Sequence, residues 1–133
     1  MAQEAKPFKY EKPEFDGVKK TMLVCASDLM RVQVQVVKNG GENNLHSHPA
    51  EDAFWYVING AVKFYGEGDK VIGVYNKGEG ILIPRGFKYW FESASPEALE
   101  IIRVGARDQN QELRRVNAAP LKEWMTQSGR FSS

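Results

Sequence analysis

Gly40-Gly41-Glu42-Asn43-Asn44-Leu45-His46-Ser47-His48-Pro49-Ala50-Glu51-Asp52-Ala53-Phe54-Trp55-Tyr56-Val57-Ile58-Asn59-Gly60 is the stretch on which the reading of this chain turns. It opens on a glycine turn, carries the chain's 2 histidines one residue apart, and closes on an apolar run. Residues two apart on an extended strand share a face, so His46 and His48 aim both imidazoles at one place. That is how a strand offers two nitrogen ligands to a transition metal. The same spacing also suits two histidines that exchange protons or hydrogen bonds with a bound molecule. Asn59-Gly60 predicts a tight hairpin turn between the segments 54–58 and 61–65.

Working outward, the chain is a succession of short segments rich in β-branched and aromatic residues, each closed by turn chemistry. They run over 21–26, 30–37, 70–75, 81–83, 89–92 and 99–104, with turns at Gly66-Glu67-Gly68-Asp69, Asn76-Lys77-Gly78 and Pro84-Arg85-Gly86. Residues 30–37, Met-Arg-Val-Gln-Val-Gln-Val-Val, alternate apolar and polar at period two and predict a strand with one wet face. Only 120–127 looks helical, with Pro120 suited to a first turn and Leu121, Trp124 and Met125 on one face. Residues 1–15 are polar, carry Pro7 and Pro13, and read as an arm that is disordered or extended along the body. Many short strands between glycine turns, without a long-period repeat, indicate a sandwich or a closed barrel.

Composition sets the outer limits. At 133 residues, with 42% hydrophobic and 26% charged residues, the chain is one domain with one core. The 18 Lys and Arg nearly balance the 17 Asp and Glu and are scattered, which argues against a nucleic-acid or anionic-membrane partner. One cysteine, Cys25, rules out an intramolecular disulfide, and its apolar surroundings mark it as a small buried filler. The start Met-Ala-Gln-Glu-Ala-Lys-Pro has no apolar stretch behind a basic segment, and no later run approaches the roughly 20 apolar residues of a membrane span. A cytoplasmic, reducing location is the expectation.

Glycine, histidine and proline recur at spacings that reach beyond any single motif. Gly40, five residues, His46-Ser47-His48 and then Gly60 are followed by Gly78, five residues and Pro84-Arg85-Gly86. Over about residues 40–93 this pattern resembles the cupin superfamily, in its small single-domain form. The resemblance implies an all-β fold: a single jelly-roll barrel over 16–118, with an extended N-terminal arm (1–15) and a short C-terminal helix and tail (119–133). It also implies a homodimer in which the arm or edge strands pair with a second copy, and a site for a small organic substrate inside the barrel.

Two of the four ligand positions of metal-binding cupins differ here. The glutamate expected five residues after the second histidine is Ala53, and the histidine expected three residues after Pro-x-Gly is Tyr89. The asparagine expected four residues further on is Ser93. Three readings stay open. A divalent metal (Fe, Mn, Ni or Zn) is held by His46 and His48 with Glu51 or Asp52 as third ligand and Tyr89 as a phenol oxygen. Alternatively, Ala53 frees a coordination position for an anion or co-substrate. In the third reading no metal is bound, and the histidines act as acid/base or hydrogen-bonding groups.

If position 53 faces inward, Trp55 and Val57 do so too, and if Tyr89 does, so does Phe91. His46, His48, Trp55, Tyr89 and Phe91 would then line an aromatic cavity with a few polar handles. Trp55 and Phe91 are equally suited to filling a narrow barrel. Tyr89 differs, since a buried hydroxyl needs a partner. Arg85, Arg114 and Arg115 read as solvated loop or surface residues, and Ser47 points away from its histidine neighbours. The expected function is a cupin-type small-molecule enzyme of the oxygenase, isomerase, dehydratase or lyase class. His46, His48 and Tyr89 would be its reactive groups, with Trp55, Phe91 and Tyr89 holding the substrate. The alternative is a non-catalytic, metal-free binding or sensing barrel.

Overall fold

A computed structural model describes residues 4–128. Among them form the strands β1 (Lys19–Ala26), β2 (Met30–Val37), β3 (His46–Ser47), β4 (Glu51–Asn59), β5 (Ala61–Tyr65), β6 (Val71–Asn76), β7 (Gly80–Ile83), β8 (Trp90–Ser93), β9 (Leu99–Arg107) and β10 (Val116–Asn117). One short helix, α1 (Glu123–Ser128), follows. It begins three residues later than the helical spacing suggested, because Pro120 and Leu121 are spent in an irregular approach to it. No helix among the described residues is long and apolar enough to cross a membrane.

Five antiparallel strands in the order β1-β2-β9-β4-β7 form one sheet. Opposite it lie β6-β5-β8 and the pair β3-β10. A bridge joins these last two pieces: the N–H of His46 donates to Tyr89 O at 3.1 Å, and the N–H of Tyr89 donates to His46 O at 2.9 Å. The result is two sheets face to face around a core of Ala53, Trp55, Val57, Val62, Phe64, Ile83, Tyr89, Phe91, Leu99 and Ile101. The strand pattern indicated a sandwich or a closed barrel, and the structure has the all-β jelly-roll barrel that the cupin resemblance implied.

Asn59-Gly60 does not close a hairpin. β4 pairs with β7 and β9, whereas β5 pairs with β6 and β8, so the dipeptide is a corner where the chain changes sheets. Gly60 serves the corner with φ +80°, and a Cβ there would stand 3.0 Å from Ala98 O. The hairpin assignment failed because turn propensity is local, whereas the partners of β4 and β5 are distant in sequence.

The reading of β2 is corrected more deeply. Gln33 is 7% and Gln35 0% exposed, while Val34 and Val36 on the other face are buried as well, so neither face is wet. Register puts Gln33 opposite Arg103, and Arg103 opposite core Trp55. Directly opposed residues share a face, so the glutamines point into the barrel and the valines point out. Nearby, the arm crosses the body: Tyr10 donates to Glu100 at 2.6 Å, Lys38 donates to Phe15 O at 3.0 Å, and Lys6 donates to Ala26 O at 2.8 Å. Cys25 is only half-buried.

Candidate functional site

Both sheets contribute to one polar region of the interior. From the second sheet come His46, His48 and Tyr89. His46 and Tyr89 are 0% exposed and His48 8%. Bridged residues share a face, so the His46–Tyr89 pairing sets imidazole beside phenol, with ring centroids 4.6 Å apart. The two imidazoles meet edge to face at 5.0 Å, as residues two apart on an extended segment must. From the first sheet come Gln33, Gln35, Trp55 and Arg103. Trp55 lies 6.2 Å from Tyr89 and 5.1 Å from Phe91, ring to ring, and Arg103 Cζ lies 5.8 Å from the Trp55 ring. The structure thus brings together His46, His48, Trp55, Tyr89 and Phe91.

The C-terminal segment sets the height of β3. Ala118 and Ala119 donate to Leu45 O, Asn44 Nδ2 donates to Ala119 O at 2.9 Å, and Trp124 Nε1 donates to Glu42 O at 2.7 Å. Arg115 reaches Asn44 Oδ1 at 2.7 Å. It is half-buried under the histidine segment, not on a solvated face. Asn44 in turn orients the first imidazole: its carbonyl lies 2.7 Å from His46 Nδ1. A carbonyl only accepts, so Nδ1 carries the proton and Nε2 holds a lone pair.

Burial is the main reason that both imidazoles are neutral. It pushes the His46 pKa well below its ordinary value, and the Arg115 charge pushes the same way. Burial, then Arg103, lowers His48 to about 3. Burial raises the Tyr89 phenol above its usual value, while Arg103 and Arg115 pull part of the way back. Tyr89 therefore remains a protonated donor.

The two acidic candidates are engaged elsewhere. Glu51 is 3% exposed and accepts from Arg103 Nη2 at 3.1 Å and Arg31 Nη2 at 3.2 Å. Burial pushes its carboxyl up, and the two guanidinium groups more than reverse this, leaving it below the usual range. Asp52 stands at the rim, accepting from the Arg85 backbone N–H at 2.9 Å and lying 3.4 Å from Arg85 Nε. Ala53 faces inward with no donor. Among the described residues no three His, Cys, Asp or Glu side chains gather as metal ligands. A transition-metal cation would find two imidazoles, a protonated phenol and nearby arginines, a donor set that does not fit it.

A group of buried polar atoms instead lacks any protein partner: His46 Nε2, His48 Nε2, Tyr89 OH, Trp55 Nε1, both amide atoms of Gln35, and Nε and Nη1 of Arg103. Isolated cases of this kind are uncommon in folded proteins, and a cluster marks a place where water or a ligand belongs.

Arg103, Gln33 and Gln35 were not anticipated from the sequence. In Leu99-Glu100-Ile101-Ile102-Arg103-Val104-Gly105 the even set looks as suitable for a core as the odd set, and only pairing chooses between them.

Two β-sheets packed face to face around a buried, histidine-bearing polar region define a double-stranded β-helix fold. The chain belongs to the cupin family, whose cupin domain matches residues 33–105. A search of curated proteins returns no match. Solved structures resemble it in fold. An uncharacterised conserved protein with a double-stranded β-helix domain from Klebsiella pneumoniae is 19% identical, with TM-score 0.68 over 81% of this chain and 90% of that one. KdgF from Halomonas sp. is 18% identical, with TM-score 0.59 over 74% and 89%. An oxalate decarboxylase from Lactobacillus farciminis, in a formate complex, is 16% identical with TM-score 0.62; the match takes in 80% of this chain but 33% of that one.

Proposed function

We propose that this cupin is an enzyme that moves a proton on a small organic substrate held inside the barrel, without a transition metal. The observation that carries this is the cluster of partnerless buried polar atoms on His46, His48, Tyr89, Trp55, Gln35 and Arg103. With its Nδ1 proton given to Asn44 O, His46 offers Nε2 as a proton acceptor. Tyr89, 4.6 Å away ring to ring, is the matching donor. Trp55 and Phe91 supply flat apolar walls, and the Gln35 amide supplies a donor and an acceptor to orient the substrate. The same reading takes the protein as a homodimer, supported by exposed Phe54, Tyr56 and Leu82 on the outer face, which a second copy would cover.

Elemental analysis of chelator-free, untagged protein beside the His46→Ala/His48→Ala double variant tests the metal-free part. No metal above the variant's level is expected. Near-stoichiometric iron, manganese, nickel or zinc that disappears in the variant would overturn it. Incubating the protein with a library of small metabolites in heavy water, followed by proton NMR, tests the chemistry. Deuterium uptake or conversion of a compound, abolished by His46→Gln, is expected. A compound that binds but is never altered would instead make the barrel a sensor.

A further inference from the structure

The segment that carries His46 into the barrel has little sheet structure of its own. Residues 42–45 form no strand, and β3 is two residues long. Their place is set from the other end of the chain. Register puts Asn117 of β10 directly opposite His46, and the N–H groups of Ala118 and Ala119 both donate to Leu45 O, at 2.9 and 3.1 Å. Trp124 Nε1 holds Glu42 O in the same way.

Within this clamp three side chains close a ring. Arg115 Nη2 donates to Asn44 Oδ1 at 2.7 Å, and Arg115 Nη1 donates to Asn117 Oδ1 at 2.9 Å. Asn44 Nδ2 donates to that same Asn117 oxygen at 3.1 Å and to Ala119 O at 2.9 Å. A guanidinium only donates, so Arg115 decides which end of each amide faces it and excludes the flipped arrangement. Asn44 is 1% exposed, and both ends of its amide are satisfied by residues 115–119. A side chain fixed this way at a buried position also fixes the peptide that bears it. The carbonyl of that peptide lies 2.7 Å from His46 Nδ1. A hydrogen bond at one ring nitrogen selects the tautomer, and with it the nitrogen that keeps the lone pair.

We propose that Arg115 is a positioning residue for His46: by holding Asn44 and Asn117 together it aims the Asn44 carbonyl at Nδ1 and keeps the lone pair on Nε2. Its effect is exerted through Asn44. This inference rests on the reading of His46 as the proton acceptor, and adds to it the residue that selects the acting nitrogen.

The test uses the full chain at about pH 8, where imidazoles are neutral, and reads the two ring ¹⁵N resonances of His46. They are assigned by their loss in His46→Gln. In the parent protein Nδ1 is expected to carry the proton. In Arg115→Met the ratio of Nδ1–H to Nε2–H tautomer is expected to fall about fivefold or more, the worth of one ordinary hydrogen bond. Arg115→Lys, which still has a donor for Asn44 Oδ1, should recover most of the parent ratio. A parent protein protonated at Nε2, a folded Arg115→Met protein with the parent resonances, or an Arg115→Lys protein no better than Arg115→Met would overturn the assignment. Where Arg115→Met fails to fold, Asn117→Ala opens the same ring at an exposed residue. It should then move the ratio in the same direction, and an unchanged ratio would overturn the proposal. The resonances are read on the free protein, so they decide the role of Arg115 by themselves. A protein that alters no compound in heavy water would overturn the proton-transfer reading alone.

Discussion

Lowering the pH from about 7.5 to about 5 is expected to remove roughly 2 kcal/mol of folding stability through His48 alone, and His46 adds to the loss in the same direction. The unfolded chain binds a proton on each imidazole near pH 6.5, whereas burial and Arg103 hold native His48 at about 3. Between those values the unfolded state carries the extra proton, so stability falls as the pH falls, by about 1.4 kcal/mol per unit for each such histidine. The 1.5 units or so between the unfolded value and pH 5 yield the 2 kcal/mol. Other groups leave the lower part of this window, below about pH 6.5, largely clear. Glu51 is held below its ordinary 4.5, so its contribution is lost only in more acid solution. Lys19 is lowered to about 7, so its effect develops mainly above that pH. Against a total stability of about 5–15 kcal/mol the loss is large. Urea unfolding followed by far-ultraviolet circular dichroism at half-unit pH steps measures it. The dependence should approach two protons per molecule, and one in His48→Gln. Stability that stays flat down to pH 5 would refute the reasoning, since the imidazoles would then ionise in the fold as they do in an open chain.

Tyr89→Phe is expected to change stability by less than about 1 kcal/mol, because the lost hydroxyl has no protein partner, yet to abolish turnover. A large stability loss with activity intact, seen by thermal melting and assay, would make the hydroxyl structural. Gly80→Ala is expected to cost about 3 kcal/mol or more, because a Cβ there would overlap Trp55 O across the β4–β7 ladder and force backbone to move. A melting temperature equal to that of the parent would show that β7 is not held where the register places it.

The turn-punctuated run of short β-rich segments was enough to indicate an all-β sandwich or barrel, because strand length and glycine turns are written locally. The spacing of His46 and His48 was likewise sufficient for a shared face, since period two is a property of any extended backbone. What each segment pairs with is not local. Val-Gln-Val-Gln-Val reads as valines inward and glutamines in water, yet the glutamines face the barrel interior, because β2 lies against β9 in a register that sets Gln33 beside Arg103. The outward valines are buried all the same. Pairing with β9 and β7 likewise turned Asn59-Gly60 from a hairpin into a corner between sheets. Arg115, beside Arg114 in a polar stretch, carries no local sign that Asn44 will draw it beneath the histidines.

The sequence by itself determined the fold class and the pair of imidazoles, both consequences of backbone periodicity and turn chemistry. Only the tertiary structure decided the character of the barrel interior. A one-residue change of register would exchange Arg103 for a neighbouring aliphatic side chain, and that choice rests on the burial of both sheet faces together.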